Sequence, residues 1–111
     1  MSEHVKEITQ AEYEKEVLQA GEPVVLDFFS TECPPCEALA PKFEAVAGQF
    51  AGKARFLKIF RQGNRDLAAR LGVSGSPTLI FFKGGSEVGE RLSGEDIKRT
   101  ALKAQVESML A

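Results

Sequence analysis

Phe28-Phe29-Ser30-Thr31-Glu32-Cys33-Pro34-Pro35-Cys36 holds both cysteines of the chain at the point where an apolar run gives way to a helix signal. Just upstream, Val24-Val25-Leu26-Asp27-Phe28-Phe29 is nearly all apolar, the pattern of a central strand buried on both faces, with Asp27 the exception inside it. Just downstream, Leu39, Phe43, Val46, Ala47 and Phe50 recur at helical spacing and predict a helix from about Pro34 to Phe50. Pro41 lies inside it, removes one backbone bond and should bend it. If the helix starts just after Cys33, that residue is its cap, and its sulfur lies over unpaired N–H donors at the positive end of the helix dipole. A thiolate is stabilised there. Pro34 and Pro35 then occupy the first two helical positions, where a missing N–H costs least, while Cys36 keeps its N–H free to face the Cys33 sulfur. Cys36, one turn deeper, is expected to be the less exposed of the two. This makes Cys33 the attacking nucleophile and Cys36 the thiol that resolves a mixed disulfide.

Val5 to Ile8 reads as a short strand, and Thr9-x-x-Glu12 as a capping box opening an amphipathic helix with Tyr13, Val17 and Leu18 inward. Gly21-Glu22-Pro23 ends that helix. After the cysteine-bearing helix, Arg55 to Phe60 reads as a strand and Arg65 to Leu71 as a short helix ended by Gly72. Gly75-Ser76-Pro77-Thr78 leads into the strand Leu79 to Phe82, and Gly84-Gly85 turns the chain toward a strand from Val88 to Leu92. Gly94 precedes a last helix carrying Ile97, Ala101, Leu102, Val106 and Leu110 on one stripe. The order βαβαβαββα, without repeats or linkers, indicates an α/β chain whose residues 1–111 form one domain.

The bulk properties limit what the cysteine pair can do. With 111 residues, 43% apolar, 27% charged and a net charge of -2, the chain has the composition of a soluble globular protein. It offers no basic footprint for nucleic acid. The first twenty residues carry Glu3, Lys6, Glu7, Glu12, Glu14, Lys15 and Glu16, which leaves no room for the apolar core of a signal peptide, and no apolar run is long enough to span a membrane. The expected location is the cytoplasm. Two cysteines three apart in a reducing compartment make a poor structural staple, which leaves redox catalysis or metal binding.

The chain resembles the thioredoxin family over nearly its full length. The resemblance rests on Val25-Leu26-Asp27-Phe28-Phe29, Cys33-x-Pro35-Cys36, Pro41, Lys58, Gly75-Ser76-Pro77-Thr78, Phe82-Lys83-Gly84 and Gly94, in order and spacing. It implies the thioredoxin fold, a central mixed β-sheet flanked by helices with the dithiol at the carboxyl end of a central strand. It further implies a redox-active Cys33 to Cys36 disulfide with no bound cofactor, and Pro77 as a cis-proline whose neighbouring backbone pairs with an extended substrate segment. Asp27 corresponds to a buried carboxylate under the dithiol. Its burial in an apolar run independently argues for a raised pKa and a role as base for Cys36, tempered by Lys58. The substrates implied are disulfide-containing proteins, and the electron donor a flavin-containing thioredoxin reductase fed by a nicotinamide cofactor, with the chain acting as a monomer.

The sequence departs from the family around the site. The usual tryptophans before the first cysteine are replaced by Phe29 and Glu32, and apolar positions of the collar correspond to Arg61 and Ser76. Together with Pro34, Pro35, Pro77 and Gly94, these residues form the expected substrate-binding surface. A polar collar implies a narrower partner set, and the charge of Glu32 should oppose ionisation of its neighbour Cys33. Two other readings compete. Cys-x-x-Cys pairs from two chains can supply four thiolates to a metal or iron-sulfur cluster, and the fold can serve as a non-catalytic docking module.

Overall fold

A computed structural model describes residues 3–111. Five strands form one mixed sheet in the order β1-β3-β2-β4-β5, where β1 is Val5–Ile8, β2 Val24–Phe29, β3 Arg55–Phe60, β4 Thr78–Lys83 and β5 Ser86–Ser93. β3 runs parallel to both β1 and β2, while β4 runs antiparallel to β2 and β5. The apolar strand β2 therefore takes the middle place, which is why it needs hydrophobic residues on both faces. Gly84 and Gly85, both at positive φ, make the tight β4–β5 turn that residues with a Cβ adopt only at a cost.

The period-two alternation of β2 sorts its side chains into two cores. Val24, Leu26 and Phe28 pack with Ile8, Tyr13, Val17, Leu57, Ile59, Leu67 and Ile80 on one face. Val25 packs on the other with Leu39, Phe43, Val46, Phe56, Phe81, Leu102 and Val106, beneath α1 (Pro34–Gln49) and α3 (Arg99–Leu110). Asp27 falls in the Val25 set, so its carboxylate faces the α1 layer. A short α2 (Arg65–Arg70) covers the first face.

Two helices differ from the sequence reading. The segment after β1 is a 3-10 turn over Gln10–Glu12 followed by a π-helical turn over Glu14–Leu18, where an ordinary amphipathic helix was expected. The Glu12 carboxylate does accept the Thr9 N–H at 2.9 Å, as the capping box predicts. Long-range bonds then override local winding: Asn64 Oδ1 accepts the Gln10 N–H at 2.8 Å, and Gln10 Oε1 accepts the Leu67 N–H at 3.0 Å. Tyr13 and Val17 are buried all the same, and Leu18 is half-buried. At the other end, Gly94 and Asp96 both have positive φ, which keeps the chain out of helix until Arg99. Ile97 is consequently buried ahead of α3. The inward stripe becomes Leu102, Val106 and Met109, and Ala101 and Leu110 face solvent.

Candidate active site

Cys33 and Cys36 are joined by a disulfide with 5.2 Å between their Cα atoms. Cys33 is the N-cap of α1 with extended backbone, Pro34 and Pro35 fill the first helical positions, and the Cys36 N–H donates to Cys33 Sγ at 3.2 Å. The double proline leaves that donor in place because the third residue of the turn supplies it. The pair thus sits on the positive end of a sixteen-residue helix at the carboxyl end of β2.

The order of burial is the reverse of that expected from helix position. Cys33 is 7% exposed and Cys36 is half-buried. The reason is a loop that local sequence does not bring near: the Ser76 carbonyl oxygen lies 3.8 Å from Cys33 Sγ, and the Ser76–Pro77 bond that follows is cis. The cap and this loop together enclose the first sulfur. Thr78 Oγ1 donates to the Gly75 carbonyl at 2.8 Å, and the Gly94 N–H donates to the Pro77 carbonyl at 3.2 Å, so the loop is held from both sides. Gly94, at positive φ, is placed here as a support of the Pro77 loop.

Asp27, on β2 six residues before Cys33, is 7% exposed. The parallel register sets it directly beside Lys58, and on its other side the antiparallel register sets Leu79. Burial pushes its pKa up from 3.8 to about 7, and the Lys58 ammonium holds the rise back. Asp27 Oδ1 is buried with no hydrogen-bond partner among the described residues. Lys58 Nζ lies 5.4 Å from the centre of the Phe29 ring, at cation–π distance. A cleft of about 350 Å³ lined by Val5, Asp27, Ala40, Pro41, Phe43, Glu44 and Lys58 gives the carboxylate a route to solvent. Pro41, which the sequence marks as an interruption of the helix and as one point of the family resemblance, lines that route.

The polar replacements do not lie apart from one another. Arg61 Nε donates to Ser76 Oγ at 2.8 Å, which joins two residues singled out separately in the sequence. Glu32 is exposed and has φ 52, a left-handed conformation that is unfavourable for a residue with a long side chain.

A family model, Thioredoxin, matches residues 4–108. The chain belongs to the thioredoxin family. It is 40% identical to a thioredoxin of Pseudomonas aeruginosa across 78% of its own length and 80% of that protein. To a thioredoxin of Peptoclostridium acidaminophilum it is 36% identical across 96% of both chains. Chloroplastic thioredoxin X of Arabidopsis thaliana is 36% identical across 96% of this chain and 58% of that longer protein. With the family's fold and a closed cysteine pair at the helix start, the chain is a thiol-disulfide oxidoreductase acting on protein disulfides. Among the described residues, no helix is long and apolar enough to cross a membrane.

Proposed function

We propose that this thioredoxin works as a reductase, passing electrons from the Cys33–Cys36 dithiol to protein disulfides, with fewer partners than an ordinary thioredoxin. The observation that carries the reading is the seat of Cys33 Sγ, which caps α1, accepts the Cys36 N–H and faces the Ser76–Pro77 loop. In the first step the Cys33 thiolate attacks one sulfur of the substrate disulfide. A Cys33–substrate bond forms, the substrate S–S bond breaks, and the departing thiolate takes up a proton. In the second step Cys36 gives its proton to Asp27, directly or through water, and attacks Cys33 Sγ. The Cys33–Cys36 bond closes, and the second substrate thiolate leaves and is protonated. Two electrons and two protons have moved to the substrate.

Asp27 supports the second step because a carboxylate with a pKa of about 7 takes up and releases a proton with little driving force near neutrality. Lys58 keeps that value from rising further. The chain needs no resident cofactor for this chemistry, since the disulfide itself carries the electron pair. It needs a two-electron donor to reopen the disulfide, and a flavin-containing thioredoxin reductase in the same cytoplasmic compartment fits that need. As a monomer it leaves the Cys33 face open to both partners.

The narrower partner set rests on the collar. Glu32 replaces an aromatic side chain and Arg61 and Ser76 replace apolar ones, so contacts that tolerate many surfaces become contacts that need complementary charge. Glu32, Pro34, Pro35, Ser76, Pro77, Arg61 and Gly94 are the residues proposed to form or support this surface. Reduction rates for several unrelated disulfide proteins test the reading. The wild type is expected to reduce a minority of them efficiently, and Glu32→Trp to narrow the spread of rates by about tenfold. Equal breadth in the two proteins contradicts it.

A further inference from the structure

We propose that Arg61 is a specificity-determining residue for the exchange reaction, selecting disulfides that carry an acidic side chain within a residue or two of the cysteine attacked by Cys33. The proposal rests on the oxidoreductase reading and names its substrate class.

Arg61 follows Phe60, the last residue of β3, whose register partner is Phe29 at the end of β2. Its side chain therefore starts from the same end of the sheet as the cysteine segment. The Nε–H donates to Ser76 Oγ at 2.8 Å, and the carbonyl of that same Ser76 lies 3.8 Å from Cys33 Sγ. One residue thus ties a cation to the reacting sulfur. Arg61 is half-buried, and among the described residues no carboxylate lies within ion-pair distance of it. Arg55 and Arg91, by contrast, are each paired with a glutamate. A guanidinium fixed through Nε keeps its two terminal amino groups for another acceptor, and its planar fork matches a carboxylate.

The chemistry of the first step brings such an acceptor close. When the Cys33 thiolate displaces one substrate sulfur and forms the mixed disulfide, the two Cα atoms are held about 4.4–6.8 Å apart. Because the Ser76 carbonyl lies 3.8 Å from Cys33 Sγ, residues next to the substrate cysteine then come close to Ser76 and to the Arg61 side chain bonded to it. Glu32 and Glu37, both exposed beside the two cysteines, repel an acidic segment from the helix side. An aspartate or glutamate is left with Arg61, and a lysine at that place meets like charge.

The test uses three synthetic peptides, each with one intrachain disulfide and differing only in the residue after the attacked cysteine: Asp, Asn or Lys. Second-order exchange rates with the reduced protein are divided by those with dithiothreitol, which removes the intrinsic reactivity of each peptide. The wild type is expected to favour Asp over Asn by about fivefold at low salt, with Lys slowest and the ratio shrinking as salt rises. In Arg61→Gln the Asp-to-Asn ratio is expected to fall to about one, and in Ser76→Ala, which frees the guanidinium, to an intermediate value. A wild-type ratio of one overturns the proposal. So does a ratio that survives Arg61→Gln, or an Arg61→Gln that slows all three peptides by the same factor, as a merely structural side chain would. If the reduced wild type exchanges with a simple small-molecule disulfide but with none of the peptides, the proposal alone is overturned; if it exchanges with neither, the reductase reading falls and takes the proposal with it.

Discussion

Cys33→Ser is expected to lower the rate of disulfide exchange by on the order of a thousandfold or more, while Cys36→Ser is expected to accumulate a covalent Cys33–substrate complex. The two cysteines make different use of one helix turn. Cys33 Sγ accepts the N–H of Cys36 and lies over the start of α1, so negative charge on it is favoured. Cys36 sits inside the turn and has no such donor pointed at it by the helix start. The burial of Cys33 in the closed state makes the comparison sharp, because exposure alone would nominate the half-buried Cys36. Substrate trapped by Cys33→Ser instead would mean that exposure, and not the helix cap, decides the order of attack. Mass spectrometry of the non-reduced reaction mixture distinguishes the two.

Asp27→Asn is the second large expectation, and it acts on stability and on rate in opposite senses. The folded-state pKa of about 7 lies above the ordinary 3.8, so the native protein holds a proton that the unfolded chain has released between those values. Wild-type stability therefore falls as pH rises through that window and levels off above about pH 7, a loss of about 4 kcal/mol at most. Removing the ionisable group removes the loss. Chemical denaturation is expected to show Asp27→Asn more stable by about 2 to 4 kcal/mol at pH 8 and by about 1 kcal/mol at pH 5. The same variant is expected to resolve the mixed disulfide about tenfold more slowly at pH 7, since Cys36 loses its proton acceptor. Equal stability of variant and wild type at both pH values would mean that Asp27 is hydrated through the cleft at Pro41 and carries no buried charge.

Most of the frame is legible in the residues themselves. β2 and β3 follow from their apolar residues, and the start of α1 from a cysteine followed by two prolines. The burial of Asp27 is legible too, because a carboxylate inside an apolar six-residue strand has nowhere to go. What local pattern does not contain is contact between distant segments. The Gln10–Asn64–Leu67 bonds replace an ordinary helix by tighter and wider turns, and nothing in Thr9-x-x-Glu12 signals it. Two positive-φ residues delay α3, and only one of them is a glycine. At the site, Arg61 and Ser76 each stand out as polar substitutions, but their hydrogen bond spans fifteen residues and depends on the Ser76–Pro77 loop folding back over Cys33. The same loop inverts the expected burial of the two cysteines. Side-chain chemistry is readable along the chain, and its order of exposure is set by what packs across it.

A thiol-trapping redox titration shows whether Cys33 and Cys36 form a reducing couple. The protein is equilibrated in graded dithiol buffers, free thiols are blocked with a mass tag, and tags are counted by mass spectrometry. One two-electron transition between two tags and none is expected, with a midpoint at the reducing end of the family range, about -270 mV. A midpoint near about -120 mV would make the same residues an oxidant and contradict the reductase reading. A pair that never closes, or that is freed for tagging only by a chelator, would contradict the redox couple itself.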